Sequence, residues 1–446
     1  MRAARPGVDT MIALAIAAVL VIAYNANGRE ISSYDSQPTK FAARELLLRG
    51  TLSLNHVVGA VPLYAERNAF VRCRDGRYRS AYSPVPAVLA AGLAWPLARS
   101  GAIDLKSGDA PALMAKLTAS LLTALAVALL YVAARARLER GRAIVLASGV
   151  GLGTGLWPVV SQTIWQHETA IFGMALAIAA TARGNERLTT SDAVWAAIGL
   201  ALAGSARPQL APMIAILLIG IYWRAPVRTA AIAAGIVAAS ALVLMLVYVR
   251  WYGSPLGGVS LLTESNDALH GTRGWVNWRF EGFAGLLLSP SRGLLVFSPI
   301  ALMALPGFLD ALRGSWSSPL RWCAGAAIAQ FLLYSGYSVW WGGHTYGPRY
   351  VLDVLPALVP LAAAALARVR LRSLAGMASG AALAWSIALS ATGAFCYPHE
   401  QWNTLPEEID LAHARLWDWS DPQFVRCWHM GLSPQNFQLF TFTRNR

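Results

Sequence analysis

Eleven apolar stretches run through this chain, and every second gap between them is crowded with arginine. The stretches lie near 10–27, 111–133, 143–161, 167–182, 192–206, 208–222, 228–249, 294–310, 320–338, 350–366 and 373–395. A helix needs about 20 apolar residues to cross a bilayer. Lipid leaves such segments little alternative, because every backbone polar group must be satisfied internally. The basic gaps are Arg135–Arg142, Arg183–Arg187, Trp223–Arg228, Arg313–Arg321 and Arg368–Arg372. Basic loops stay on the cytoplasmic side and set orientation. The N-terminus is therefore expected inside. The gaps rich in tryptophan, glycine, histidine and acids are expected outside, and chemistry with them.

Charged residues make up 13% of the chain and hydrophobic ones 56%, about half the charge share of a soluble protein. The fold class is an all-α polytopic membrane protein. Much of the formal net charge of +14 sits in the short inner loops. It therefore speaks for topology and a lipid bilayer, and nucleic acid is not an expected partner. Arg2 and Arg5 precede an apolar run from Met11 to Ala23. With no small-x-small cleavage site after it, this run reads as an uncleaved anchor rather than a signal peptide. Cys323 falls in a span, and Cys73, Cys396 and Cys427 fall outside, where a disulfide persists. Cys396 with Cys427 is the pairing favoured, and spacing alone leaves the others open.

One apolar run, Val85 to Ala98, is too short to span and carries Pro86 and Pro96. It is expected to form an interfacial or re-entrant helix. Counting it as a span would also place Arg135–Arg142 outside, against the charge rule. The outer side then comprises 28–110, 161–166, 250–292 and the tail 396–446. The division expected is a core over 1–395, including the loop 28–110, and a C-terminal tail over 396–446. Trp402, Trp417, Trp419 and Trp428 make the tail too aromatic to be disordered. No internal repeat is present.

The first outer loop opens with Ser32-Ser-Tyr-Asp-Ser-Gln-Pro38. Ser36 or Asp35 can cap a helix with Pro38 in its first turn and Gly50 at its end. Ala42, Ala43, Leu46 and Leu47 share one face; Lys40, Arg44, Glu45 and Arg49 take much of the rest. Such a helix lies along the membrane surface and holds Asp35 at the lipid–water boundary. A carboxylate there can take the proton from an attacking hydroxyl.

An acid just after the first span, followed by surface helices and a many-span core, resembles the GT-C superfamily. Its members are integral-membrane glycosyltransferases with polyprenyl-phosphate sugar donors. They include aminoarabinose, mannosyl and arabinofuranosyl transferases and oligosaccharyltransferases. Three stretches carry the resemblance further: Asp75-Gly-Arg-Tyr-Arg-Ser-Ala-Tyr-Ser-Pro84, Trp340-Trp-Gly-Gly-His-Thr-Tyr-Gly-Pro-Arg-Tyr350 and Leu288-Ser-Pro-Ser-Arg-Gly293. Two departures stand out. Many members have a second acid after the first, whereas here Ser36 follows, which weakens the case for a bridged metal. Many place a lysine beside the proline turn, whereas Ala81-Tyr82-Ser83-Pro84 has none and only Arg79 is near.

The resemblance implies an enzyme of the bacterial inner membrane with its site on the periplasmic side. Asp35 is the expected base. A donor phosphate gains negative charge as the sugar leaves, and the planar fork of arginine suits it. Arg349, Arg207 and Arg292, all at outer span ends, are the expected phosphate ligands, with Arg349 foremost among its aromatic neighbours. Substrate contacts are expected from Tyr82, His167, Glu168, His344 and Tyr346. No cofactor is required by this reading. A divalent metal on His167, Glu168 and Asp35 is considered, although neighbours on a helix point about 100° apart. Glu264, Asp267, His270, Arg273, Trp275, Trp278, Arg279 and Glu281 give the third loop groups suited to sugar or acceptor. No P-loop, GxSxG or CxxC is present. The function expected is inverting transfer of a sugar from a polyprenyl-phosphate donor to a hydroxyl of a glycan, lipid or protein acceptor. The rivals are a lipid-linked sugar flippase or transporter, and an O-antigen ligase or polymerase. Clean spans speak against the transporter, and the position of the longest outer loop speaks against the ligase.

Overall fold

Each of the eleven apolar stretches is helical in the computed structural model, which describes residues 6–66, 69–182, 187–270, 274, 280–396, 400–431 and 436–437. In chain order the helices are α1 (Pro6–Asn25), α2 (Gln37–Arg49), α3 (Asn55–Ala60), α4 (Val85–Arg99), α5 (Ala110–Arg135), α6 (Arg140–Leu152), α7 (His167–Thr181) and α8 (Thr190–Ala206). There follow α9 (Ala211–Arg224), α10 (Val227–Tyr252), α11 (Val259–His270), α12 (Phe280–Leu288), α13 (Leu294–Phe297) and α14 (Leu305–Arg313). The last are α15 (Pro319–Ser335), α16 (Leu355–Leu366), α17 (Leu374–Phe395), α18 (Glu400–Thr404) and α19 (Gln423–Met430). Of the sequence-predicted residues in the third outer loop, Arg273, Trp275, Trp278 and Arg279 lie outside the described residues, as does the side chain of His270.

Length and hydropathy make α1, α5, α10 and α17 each sufficient to cross a membrane. The remaining stretches are shorter helices or broken ones. The stretch 143–161 is α6 followed by a π-helical turn, Leu156–Val160. The stretch 294–310 is α13, a 3-10 segment Pro299–Ala304 and α14. Proline recurs at helix starts, as Pro38, Pro86, Pro111, Pro212, Pro306 and Pro356. Its fixed φ suits the first turn, where its missing N–H is no loss.

Described arginines of the arginine-rich gaps gather at one end of the bundle. Asp9 of α1 accepts from Arg135 Nε at 3.1 Å and Arg140 Nε at 3.0 Å. Arg142 donates to the carbonyls of Leu366 and Val369 at 2.8 and 3.0 Å. Arg368 pairs with Asp310 at 2.6 Å, and Arg224 donates to Thr181 O at 2.6 Å. A narrow cleft at the same end is lined by Thr181, Arg224, Pro319 and Cys323. The alternation in the sequence therefore corresponds to two chemically distinct ends.

Helices α7 and α8 lie against each other through glycine. A Cβ on Gly173 would fall 2.5 Å from Gly199 O, and one on Gly199 would fall 2.4 Å from Gly173 O. Small residues of this kind let membrane helices approach backbone to backbone. The approach matters because the non-basic end of α7 begins with His167 and that of α8 is capped by Arg207.

On the outer side, α4 is the short apolar helix expected, and it buries Ala87, Ala90, Ala91 and Ala94. The fold is all-α, with one short pair of strands among the described residues. Phe70–Arg72 and Tyr78–Ser80 form an antiparallel hairpin, with Val71 opposite Arg79. Its loop is Arg74-Asp75-Gly76, closed by Gly76 N donating to Cys73 O at 2.9 Å, and Gly76 takes φ +74°, the left-handed position that ends such three-residue loops. The surface-helix reading of α2 also changes. Ala42 and Ala43 are buried as expected, yet so are Lys40 and Glu45. Lys40 pairs with Glu30 at 2.7 Å and Glu45 with Arg49 at 2.8 Å. Periodicity assigns charged residues outward by default and does not foresee such partners.

The tail folds back onto the bundle. Cys396 and Cys427 are joined, with Cα atoms 5.7 Å apart, while Cys73 and Cys323 are free thiols. Trp402 is fully buried, whereas Trp419 and Trp428 are exposed. Arg292 ties tail to core. Its Nε donates to Trp341 O at 2.8 Å, and Nη1 donates to Ser291 O at 2.8 Å and Gln423 Oε1 at 2.7 Å. Nη2 donates to Gly343 O at 3.1 Å and Asn403 Oδ1 at 2.8 Å. All five N–H groups of a guanidinium are thus engaged. Arg292 is a structural rivet, and its assignment as a phosphate ligand is corrected on that ground.

Two consequences are open to thermal melts in detergent. Gly199→Val should lose about 1–3 kcal/mol, the usual range for overpacking, because the added atoms meet backbone that cannot rotate away. Arg292→Met should lose at least about 3 kcal/mol, since several buried acceptors lose a donor together. A melt unchanged in either variant would contradict the packing described.

Candidate functional site

After α1 the chain is pinned before it reaches Asp35. Asn27 Nδ2 donates to Gln162 Oε1 at 2.7 Å and to Ala394 O at 3.0 Å. Lys116 Nζ donates to Asn27 Oδ1 at 3.0 Å. Ser33 then caps a 3-10 turn, Tyr34–Ser36, that leads into α2. Ser33 and Ser36 form a reciprocal capping box. The cap was expected from Ser36 or Asp35, and the serine pair leaves the Asp35 carboxylate out of that role.

Asp35 meets Arg349, which is 314 residues away in sequence. Arg349 Nη1 and Nη2 both donate to Asp35 Oδ2, at 3.1 and 3.2 Å. The arginine stems from the loop Trp340–Arg349, where Gly342, Gly343 and Gly347 take positive φ of 78°, 65° and 65°. These glycines allow turns that L side chains resist. The guanidinium lies over Trp165 at 4.6 Å and Tyr350 at 5.3 Å. Such contacts favour a cation; burial works against the charge, and Tyr350 first and then Asp35 outweigh it, so the arginine lies above its ordinary range. Its Nε has no hydrogen-bond partner among the described residues, so donor capacity remains. Tyr82 stands beside this pair. Burial first, and then the Asp35 charge, push its phenol well above the ordinary range, which makes it a neutral hydroxyl at pH 7.

A second cluster lies deeper. Asp353 Oδ1 is 2.9 Å from His167 Nδ1, and Oδ2 is 3.0 Å from Arg207 Nε. Tyr334 donates to Asp353 Oδ2 at 2.7 Å and accepts from Arg207 Nη2 at 3.0 Å. Arg207 Nη1 lies 3.3 Å from His167 Nε2. All four residues are buried. Asp353 was missed because it sits inside a stretch read as an apolar span. The available signal was that an ionisable residue in such a stretch is functional by default.

Both clusters open on one cavity of 370 Å³, within the range of small-molecule sites. Its wall includes Asp35, Tyr82, His167, Arg207, His344 and Arg349. Trp165, Gln166, Tyr337 and Tyr350 add aromatic and amide surface, and Thr263 comes from the third outer loop. The tail contributes Glu408 and Asp410, and His344 Nε2 lies 3.4 Å from Asp410 Oδ2. The tail's part in the wall was not foreseen, because its acids follow no recognisable spacing.

Two further sequence-predicted substrate residues stand apart from this cavity. Glu168 does not line the cavity; its carboxylate accepts from Trp165 N at 3.1 Å and Thr169 Oγ1 at 3.2 Å, closing the first turn of α7. Tyr346 is also outside the wall, and its hydroxyl donates to Leu389 O at 2.9 Å in α17. Glu264 and Glu281 likewise fall outside the wall. The metal set considered is not assembled. Among the described residues no group of three His, Cys, Asp or Glu side chains gathers to hold a metal. His167 and Glu168 have the partners given above, and Ser36 supplies no second acid beside Asp35.

No protein-family model matches the chain, and no characterised protein matches it in sequence. Among solved structures, it is similar to ArnT from Cupriavidus metallidurans bound to undecaprenyl phosphate, with 14% identity and TM-score 0.49. That alignment covers 98% of this chain and 77% of the other. It is also similar to the archaeal oligosaccharyltransferase AglB from Archaeoglobus fulgidus, in complex with an inhibitory peptide and a dolichol-phosphate. There the identity is 12%, the TM-score 0.48, and the coverage 98% of this chain and 61% of AglB. An apo oligosaccharyltransferase from the same organism aligns with 12% identity and TM-score 0.47, over 98% of this chain and 62% of that one. The chain thus spans less than two thirds of the length of these archaeal proteins.

Proposed function

We propose that this protein is a membrane glycosyltransferase of GT-C type that moves a sugar from a polyprenyl-phosphate donor to an acceptor hydroxyl. The observation that carries the reading is the meeting of Asp35 with Arg349 at the wall of one cavity. An acid able to take a proton and a cation able to hold a phosphate stand side by side. The aromatic and amide surface around them suits a sugar ring. The resemblance of the first outer loop to the GT-C pattern adds the class of donor.

In the proposed reaction Asp35 takes the proton of the acceptor hydroxyl as its oxygen attacks the anomeric carbon. The new C–O bond forms on the face opposite the old one, so the configuration inverts. The bond to the phosphate oxygen breaks, and its electron pair leaves with polyprenyl phosphate. The phosphate goes from a singly charged diester to a monoester with more negative charge. Arg349 and Arg207 meet that growing charge, where preorganised donors are most effective. Tyr82 and His344 line the same wall and would contact sugar or acceptor. By the charge alternation, the site faces the periplasm of a bacterial inner membrane.

A transporter of the same lipid-linked sugar is the second reading. The buried Arg207–Asp353 pair favours it, since charged groups inside a bundle mark many transport pathways. Sugar transfer decides between the two. Membranes carrying wild type or Asp35→Asn receive a panel of radiolabelled polyprenyl-phosphate sugars with cell envelope as acceptor. Asp35→Asn should lower transfer by about 10²–10⁴-fold, the usual worth of a general base. Donor should bind it at least as tightly, because Arg349 loses a competing carboxylate. Normal transfer by Asp35→Asn would remove the base assignment. Donor movement across protein-containing liposomes, with no transfer by either protein, would favour the transporter.

Arg349 gives a separate check by equilibrium binding of polyprenyl phosphate. Arg349→Gln should weaken binding about tenfold to a hundredfold, as expected for loss of a charge-assisted contact. Arg349→Lys should recover only part of it, lacking the planar fork. Equal affinity in all three proteins would exclude Arg349 from the phosphate site.

A further inference from the structure

Asp353 is the one carboxylate of the deeper cluster, and it does not line the cavity, whereas its partners His167 and Arg207 do. It is 1% exposed. One oxygen faces His167 Nδ1 at 2.9 Å, and the other faces Arg207 Nε at 3.0 Å and receives the Tyr334 hydroxyl at 2.7 Å. A carboxylate only accepts and a guanidinium only donates. The proton of a neutral His167 ring must then sit on Nδ1, so that Nε2 can accept from Arg207 Nη1. Arg207 uses two of its five N–H groups in contacts with His167 and Tyr334, and its Nε stands against Asp353 as an ion pair. The second N–H of Nη1 and of Nη2 remain, Nε–H has no hydrogen-bond partner among the described residues, and the residue lines the cavity. The Gly173–Gly199 approach brings the helices bearing His167 and Arg207 together.

We propose that Asp353 is a positioning residue: one buried carboxylate that sets the fork of Arg207 and the tautomer of His167 so that both present themselves to an anionic ligand. This rests on the reading that the cavity takes a polyprenyl-phosphate donor. Asp353 touches no substrate itself. A second-layer carboxylate that fixes the tautomer and direction of a histidine is a general device of active sites. Here the same carboxylate also anchors an arginine.

Replacement by asparagine makes the idea sharp. The amide oxygen of Asn takes the position facing Arg207 and Tyr334, since Tyr334 donates there and the guanidinium is a cation. Its NH₂ group then faces His167 Nδ1, which must become an acceptor. The ring proton moves to Nε2 and opposes Arg207 Nη1, another donor.

The test uses the full chain in detergent and decaprenyl phosphate, a polyprenyl phosphate without sugar, as probe. Asp353→Asn and Arg207→Ala should each raise Kd about thirtyfold or more, as when one partner of a buried charge pair is removed. The double variant should be within about threefold of Arg207→Ala alone, because residues acting through one another are not additive. Fully additive losses, or wild-type affinity in Asp353→Asn, would overturn the proposal. A ¹⁵N-histidine spectrum gives a readout that a merely structural role would not move. His167 should carry its proton on Nδ1 in wild type and on Nε2 in Asp353→Asn. An unchanged tautomer would also overturn it. Failure of wild type to bind the probe would sink the donor reading, and the tautomer would still test the positioning. If Asp353→Asn does not fold, Tyr334→Phe removes one contact each from Asp353 and Arg207. It should weaken binding about threefold or more, the worth of one hydrogen bond, and unchanged affinity there counts against the proposal.

Discussion

A guanidinium inside an apolar bundle must be paired, because desolvation penalises the bare charge by several kcal/mol or more. The rest of this structure follows from how three arginines at its outer end meet that demand. Arg292 is ringed by neutral acceptors from the core and the tail. Arg207 is held by a carboxylate that is itself buried. Arg349 is paired with a carboxylate whose side chain keeps 40% of its exposure. The three solutions differ in what can change. Neutral acceptors and a buried acid leave nothing to exchange, whereas a half-exposed acid can give way to another anion.

The same ranking explains the architecture around the cavity. Residues that meet there come from the end of α1, the start of α7, the end of α8, the loop before α16 and the tail. Each approach is fixed by a polar contact to backbone or amide, such as Asn27 with Ala394 or Ser289 with Leu416 O at 2.6 Å. Helix packing through Gly173 and Gly199 sets the distance between α7 and α8. Apolar packing thus places the helices, and a small number of buried polar contacts sets the register of their ends.

How much of this is legible in the sequence depends on the kind of interaction. The helices are legible because lipid imposes a length and a hydropathy on them. The two ends are legible because arginine marks one of them. Asp35 and Arg349 stand out by position, one just past the first apolar stretch and one among aromatics, and the structure brings them together. Arg292 has the same kind of address, at an apolar stretch's end beside glycine, yet its donors are consumed by five acceptors scattered from Ser291 to Gln423. No local pattern separates a rivet from a ligand, since the difference lies in partners remote in sequence. Glu168 shows the same limit, being an acid at a helix start that turns inward to its own first turn. Asp353 was missed for the opposite reason. A window that averages hydropathy hides one carboxylate among Val351, Leu352, Val354 and Leu355, and so the spans read as cleaner than they are.

The electrostatics of the cavity bear on how an anion could use it. Both arginines on its wall are already matched with an acid, so the site is not simply a positive well. An entering phosphate competes with Asp35 for Arg349 rather than filling an unbalanced charge. The carboxylate it displaces is the proposed base. While Arg349 donates two N–H groups to one oxygen of Asp35, the lone pairs of that oxygen are engaged. In the proposed reaction the phosphate takes those donors, and the lone pairs become open to a hydroxyl. Under the proposed reading the base is therefore competent only when the donor is seated, and a hydroxyl entering alone meets an acid whose lone pairs are engaged. The deeper pair is less suited to this purpose, because Asp353 is buried and enclosed by His167, Tyr334 and Arg207. Under the proposed reading the division of labour between the two pairs follows from burial: the exposed one exchanges partners, and the enclosed one keeps the geometry in which the exchange takes place.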